Sequence, residues 1–255
     1  LDRDGNVLVT GQFNGSVDFG QVVLTSGNAF QDMFVAKYSY DGRCLWAKQG
    51  GGPNHDFGSA ITVDKMNNII VSGRFTDSIR LESTVLHADG TALYIAKYSP
   101  DGMLLWTSVG AGGPDVYDVT ADENGDIYLV GLMGYWAQFG DLYFNGGHYD
   151  GFMIKYSPDG EALWAINFGS LGDHHMGYDM AYTVLTDSER NVYVTTMLGV
   201  RFDIEGQLLE GPDNIYFAKY SPTGKALWAK SFGGPGSDVV YAKCMAENGD
   251  LVISG

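Results

Sequence analysis

Four aspartates, Asp56, Asp115, Asp179 and Asp238, recur at nearly equal intervals, each just ahead of an apolar, strand-like segment. Carboxylates repeated in this way occupy equivalent places in a repeat protein. They could form a ring on one rim of a central channel, holding a hard cation such as Ca²⁺ through oxygen ligands or attracting a basic partner. A plainer role is also open to them, in which each Asp accepts hydrogen bonds from loop amides and orders a connection. A second cluster lies in the loop from Gly172 to Asp179, where Asp173, His174 and His175 adjoin, with His55 in the equivalent loop of an earlier repeat and His148 nearby in sequence. Two imidazoles and a carboxylate can bind a transition metal, and a histidine beside an acid can act as a general base. The His-Glu-x-x-His spacing is absent, and adjacent loop histidines usually diverge into solvent. A third group is aromatic: Tyr135, Trp136, Tyr143, Phe144 and Tyr149, which could stack on a sugar or simply pack an insertion.

Motifs for covalent catalysis or phosphate binding do not support an enzyme. There is no nucleophile elbow, and the glycine runs Gly50-Gly51-Gly52 and Gly233-Gly234 lead into strand patterns rather than helices. The Asp-rich stretches Asp2 to Asn6 and Asp122 to Asp126 lack the glycine and distal glutamate of an EF-hand, and their cognates at Asp64 to Asn68 and Asp187 to Asn191 place Lys, Met or Arg where oxygen ligands would be needed. A hairpin turn explains all four. The expectation is therefore a binding or scaffolding module with no cofactor beyond a candidate Ca²⁺. The competing expectation is a metal-assisted hydrolase or lyase using His174, His175 and Asp173.

Charge narrows the partners. With 15 Lys+Arg against 31 Asp+Glu the 255-residue chain carries a formal charge of −16, which disfavours nucleic acid and anionic membranes and favours cations and basic proteins. Two cysteines, Cys44 and Cys244, provide neither a disulfide framework nor metal-ligand spacing. No apolar run is long enough to cross a bilayer as a helix. The chain starts at Leu1 in mid-pattern, as a mature product or an excerpt of a longer chain would.

The elements that must position these residues are set by repetition. Lys-Tyr-Ser, a turn, and Leu-Trp occur at Lys37 with Trp46, Lys97 with Trp106, Lys155 with Trp164 and Lys219 with Trp228, at near-equal spacing along the chain. Each turn carries Gly (Gly42, Gly102, Gly160, Gly224), which supplies positive φ, so each reads as a hairpin. Before it, Phe34, Ala36 and Tyr38 alternate with Val35 and Lys37 at the strand period. Two more strands flank a second turn, as in Val119 to Ala121 and Ile127 to Gly131, and a further stretch such as Ser16 to Gln31 is inserted between the second and third strands. Four antiparallel strands in every repeat predict an all-β fold of propeller blades, with the strand at Ile61 to Val63 innermost and the Leu-Trp strand outermost. The repeats run approximately 1–58, 59–114, 115–178 and 179–238, with a partial one over 239–255. Because Asn6 to Thr10 and Asp250 to Ser254 copy the same strand, the expectation is four blades and part of a fifth from a larger ring.

The units Gly5-Asn6-Val7-Leu8-Val9-Thr10-Gly11, Asp32-Met33-Phe34-Val35-Ala36-Lys37-Tyr38-Ser39 and Leu45-Trp46-Ala47-Lys48 resemble the SBBP-type bacterial β-propeller repeats. The resemblance covers essentially the whole chain and departs at Tyr135-Trp136-Ala137 and Thr196-Met197-Leu198. It implies an exported or cell-surface bacterial protein and brings no common catalytic activity. The Asp-Gly-x-x-Leu-Trp text is also similar to the tryptophan-docking repeats of quinoprotein propellers, where the Trp packs between sheets. The expected contact face is the set of rim loops at His55, Asp56, Asp115, His174, His175, Asp179 and Asp238, with Tyr135, Trp136 and Tyr149 as sugar-stacking candidates. The expected partner is a protein or glycan, together with the remaining blades or domains of a parent chain.

Overall fold

The computed structural model describes residues 1–27, 29–145, 149–169, 179–198, 201–204, 207–210, 214–234, 238, 240, 242–246 and 251–255. Among these there is no helix, so none is present that could cross a membrane. The first repeat holds β1 (Val7–Phe13), β2 (Ser16–Asp18), β3 (Val23–Thr25), β4 (Asp32–Tyr38) and β5 (Cys44–Gly51). The second holds β6 (Phe57–Val63), β7 (Ile69–Leu81), β8 (Thr84–Tyr98) and β9 (Leu104–Ala111). The third holds β10 (Asp115–Ala121), β11 (Ile127–Met133), β12 (Trp136–Phe139), β13 (Leu142–Asn145), β14 (Asp150–Tyr156) and β15 (Ala162–Phe168). The fourth holds β16 (Met180–Thr186), β17 (Val192–Leu198), β18 (Arg201–Ile204), β19 (Gln207–Glu210), β20 (Asn214–Tyr220) and β21 (Ala226–Phe232), followed by β22 (Ala242–Met245) and β23 (Leu251–Ser254).

Among the described residues the strands pair antiparallel. Four-stranded sheets run β10-β11-β14-β15 and β16-β17-β20-β21, and β6, β7, β8 and β9 pair in the same succession. The inserted stretches are secondary hairpins, β2–β3, β12–β13 and β18–β19, while in the second repeat the insertion lengthens β7 and β8 into one long ribbon. Leu1–Val116 with Asp159–Glu161 form one compact unit, and Tyr117–Pro158 with Ala162–Gly255 form another.

The alternation expected in the Lys-Tyr-Ser strand is overridden by burial on both faces. Within the first unit Met33 and Val35 of β4 pack with Ile69 and Val71 of β7 and Ala92, Tyr94 and Ala96 of β8. Within the second, Tyr128, Val130 and Met153 pack with Ala181, Val184, Val194 and Tyr216. β14 is buried along its whole length. The repeated lysine is therefore drawn inward too. Lys37, Lys97, Lys155 and Lys219 pair with Asp2, Asp64, Asp126 and Asp187 at 2.9, 3.0, 2.7 and 3.0 Å.

That pairing explains the Asp-rich turns. Asp2 accepts the amides of Asp4 and Asn6 and the Asn6 side chain while facing Lys37. Burial alone would raise its carboxyl, but the Asn6 and Lys37 donors hold it at about 2, below the ordinary 3.8. Asp64 and Asp187 repeat this with Asn68 and Asn191. In the third repeat Asp126 stands where the others have Asn and takes the lysine, while Asp122 accepts from the Tyr128 hydroxyl at 3.1 Å.

Register shifts follow the repeated lysine in all four copies, between Lys37/Tyr38, Lys97/Tyr98, Lys155/Tyr156 and Lys219/Tyr220. On the partner strand the extra residue is Leu45, Leu105, Leu163 or Leu227, each exposed, and the following Trp turns inward. Trp46 lies against Gly102, whose φ is +81° and whose Cβ, if present, would meet the indole at 2.9 Å. Trp106 meets Gly160 and Trp164 meets Gly224 in the same way. The turn glycine thus serves both a left-handed backbone and the close approach of the preceding repeat's indole.

Candidate functional site

Asp56 and Asp179 immediately precede the first strand of a repeat, β6 and β16, Asp115 is the first residue of β10, and Asp238 precedes β22. Asp56 is fully buried, donates its backbone N–H to the Gln31 carbonyl at 2.8 Å, and accepts the Gly52 amide on Oδ2 at 2.7 Å. Asp238 accepts the Gly234 amide at 2.8 Å at the same loop spacing. Asp179 is buried and donates its N–H to the Tyr149 carbonyl at 2.9 Å, as Asp56 does to Gln31. Asp115 differs. It is half-exposed and pairs with Arg74 at 3.0 Å, whose guanidinium lies 4.7 Å from the centre of the Phe57 ring. In three of the four positions the carboxylate or its own amide orders the connection, and in the fourth a half-exposed ion pair replaces it.

Asp56 carries chemistry beyond ordering. Its Oδ1 is buried without a hydrogen-bond partner, and burial raises its carboxyl to about 7 against the lowering donation from Gly52, with a further raising contribution from Asp32. Asp32, at the start of β4, is also buried with an unpartnered Oδ1. Burial raises the Asp32 carboxyl, opposed by the Gly27 amide. The backbone of β5 makes room for it: a Cβ on Gly51 would fall 2.4 Å from the Asp32 Cγ. Asp32 opens onto a cavity of about 350 Å³ bordered also by Gly27, Gln49, Arg80 and Glu82.

Asp32 is absent from the acids that sequence spacing picks out. The available signal was its place in the strand motif, where Asp32, Ala92, Asp150 and Asn214 are cognates and an acid stands at a position that one repeat fills with alanine. A second feature of that kind is Asp118 on β10, which accepts the Val184 amide of β16 at 2.7 Å and pairs with Lys243 of β22. Burial raises the Asp118 carboxyl, and Lys243 lowers it.

His55 is exposed, accepts the Gln31 amide on Nδ1 at 3.3 Å, and lies edge-on to Phe30 and stacked with Phe57. His148, Asp173, His174 and His175 lie outside the described residues. Among the described residues no group of three metal-ligating side chains occurs. Asp32 borders the cavity, and among the described residues nothing beside it completes a metal's ligand set.

Of the aromatic candidates, Trp136 and Tyr143 stack with ring centres 6.2 Å apart and planes 20° from parallel. They occupy the outward face of the β12–β13 hairpin with Gln138 and Asn145, while Ala137 and Phe139 are buried behind them. Tyr135 and Tyr149 are exposed. An aromatic pair flanked by two amides offers a flat apolar surface beside hydrogen-bonding groups.

No family model matches the chain. It is 26% identical over 301 residues to an uncharacterized WD repeat-containing protein of Acanthamoeba polyphaga mimivirus, covering 91% of this chain and 22% of that protein. The chain thus spans about a fifth of the length of that relative. A solved structure of a protein of unknown function from Bacteroides caccae aligns at 9% identity with a TM-score of 0.38, covering 88% of this chain and 93% of that one.

Proposed function

We propose that the chain is a non-catalytic binding or scaffolding module of β-propeller type, which engages a protein or glycan through loops that depart from the repeat. One observation carries this reading. The polar residues common to the repeats are turned inward, with Lys37, Lys97 and Lys155 buried in ion pairs. Four of the exposed aromatics, Tyr135, Trp136, Tyr143 and Tyr149, lie where the third repeat differs from the others. A frame that satisfies itself and displays its variation outward suits recognition, since loops on a rigid scaffold can change without disturbing it. The WD-repeat relative supports the propeller assignment, and the resemblance to SBBP-type repeats supports an exported or cell-surface bacterial setting.

The test is a glycan array and a peptide array probed with the purified protein and with Trp136→Ala and Asp115→Asn variants. Reproducible capture of a defined feature that either loop variant reduces, with folding intact, supports the proposal. Capture by neither array, together with stoichiometric zinc and hydrolytic turnover, would favour a metal-assisted hydrolase or lyase instead.

A further inference from the structure

Asp32 and Asp56 present two buried carboxyls, 3% and 0% exposed, whose Oδ1 atoms have no hydrogen-bond partner among the described residues. A buried carboxylate oxygen without a donor is costly, so its persistence calls for a reason. The third repeat supplies the comparison. There the cognate Asp150 lies over Gly169 as Asp32 lies over Gly51, and it accepts from the Asn167 side chain at 3.0 Å. Gln49 is the cognate of Asn167, since Phe34 faces Gln49 across the ladder as Phe152 faces Asn167. Yet the Gln49 amide turns away from Asp32. It accepts the Thr25 N–H at 3.2 Å and donates to the Thr25 carbonyl at 3.0 Å, tying β5 to the β2–β3 hairpin.

The same frame therefore supplies its aspartate with a side-chain donor in one repeat and leaves Asp32 facing an open cavity in another. The cavity, about 350 Å³, is much larger than a bare ion needs. No third acid, histidine or cysteine completes a ligand set for a divalent metal among the described residues. Glu82, on the cavity wall, is paired with Lys48 at 3.0 Å, and Arg80 is exposed. The remaining demand is for a cationic donor long enough to reach a recessed carboxylate, and a guanidinium matches a carboxylate edge with paired N–H groups. We propose that the cavity over Asp32 receives an arginine side chain of a basic partner segment, whose guanidinium donates to the Asp32 carboxylate. The proposal rests on the reading of the chain as a binding module and assigns the chemistry of one partner contact. The charge of −16 steers such a partner toward it.

The test is titration with acetyl-Gly-Arg-Gly-amide, followed by NMR at the backbone amides of Gly27, Gly51 and Gly52, with the citrulline peptide as neutral isostere and CaCl₂ as a bare cation. Saturable shifts are expected with the arginine peptide, at least about ten-fold weaker with citrulline, because charge-assisted hydrogen bonds are the stronger ones. Asp32→Asn should abolish them. Arg80→Ala removes a like charge at the mouth and should tighten binding roughly two- to five-fold by the Coulomb argument. Absence of saturable shifts, equal binding of citrulline, weaker binding by Arg80→Ala, or shifts produced by CaCl₂ and not by the peptide would overturn the proposal. Should Asp32→Asn fail to fold, the Arg80→Ala and citrulline results decide alone. Failure at this cavity leaves capture on the arrays standing, whereas loss of all array capture would remove the module reading itself.

Discussion

The indole N–H of Trp46 donates to the carbonyl of Pro100 at 3.1 Å, so the last strand of the first repeat is fastened to the hairpin turn of the second. Lys37 donates to the same carbonyl at 3.3 Å. Trp164 and Lys155 do likewise to Pro222, at 3.3 and 3.0 Å. The two most repeated side chains thus act together: one stacks on the neighbour's glycine, and both satisfy the carbonyl beside it.

Removing the indole should loosen that fastening. Trp164→Ala is expected to cost about 2–4 kcal/mol, below the full core value because the ring is only partly buried. Trp164→Phe keeps most of the contact and loses one hydrogen bond, about 1 kcal/mol. Gly224→Ala forces a side chain into positive φ against the indole and should cost about 1–3 kcal/mol. Urea unfolding followed by tryptophan fluorescence measures all three.

The inward lysines make a second prediction. Lys97→Met leaves Asp64 buried and charged and should destabilise by about 3–5 kcal/mol. The double variant Lys97→Met with Asp64→Asn should recover part of the loss, because no uncompensated charge remains. Equal stability of the single and double variants would contradict a buried ion pair.

Two carboxyls give opposite pH dependences. Asp2 is held at about 2, below its unfolded value near 3.8, so its stabilisation is present above pH 4 and disappears as pH falls toward 2. Asp56 is raised to about 7, so the folded state holds the proton better than the unfolded one. Its contribution is complete below about pH 4 and is lost as pH rises through 7. Stability should therefore decline between pH 4 and 7, and Asp56→Asn should flatten that decline and gain roughly 1–2 kcal/mol at pH 8. Thermal unfolding across this range measures it, and an unchanged slope in the variant would contradict the assignment.

The hairpin aromatics should be dispensable for folding. Trp136→Ala and Tyr143→Ala remove outward rings, and each is expected to change stability by less than about 0.5 kcal/mol. A loss above about 2 kcal/mol in either would show that the face is covered in the folded chain.

Strand order and hairpins were legible because Lys-Tyr-Ser and Leu-Trp recur, and recurrence reports backbone geometry. The burial of Lys37 was not, because an alternating strand looks half-exposed until a second sheet is known to cover its other face. Asp56 was legible as a repeated acid, but its raised pKa depends on its burial in the folded chain and on Asp32, which lies far from it in sequence. The separate roles of Asp115, half-exposed with Arg74, and Asp56, buried, were hidden by their equivalence in the repeat. The difference arises from what each repeat places beside the acid.

The most direct test of recognition through the departures from the repeat is hydrogen exchange, measured with and without the ligand selected on the arrays. Slowed exchange is expected in segments 29–32, 52–56 or 134–145, with the Leu-Trp strands unchanged. Slowing confined to those strands, around Leu105-Trp106 and Leu163-Trp164, would contradict this recognition mode by placing the contact on the frame.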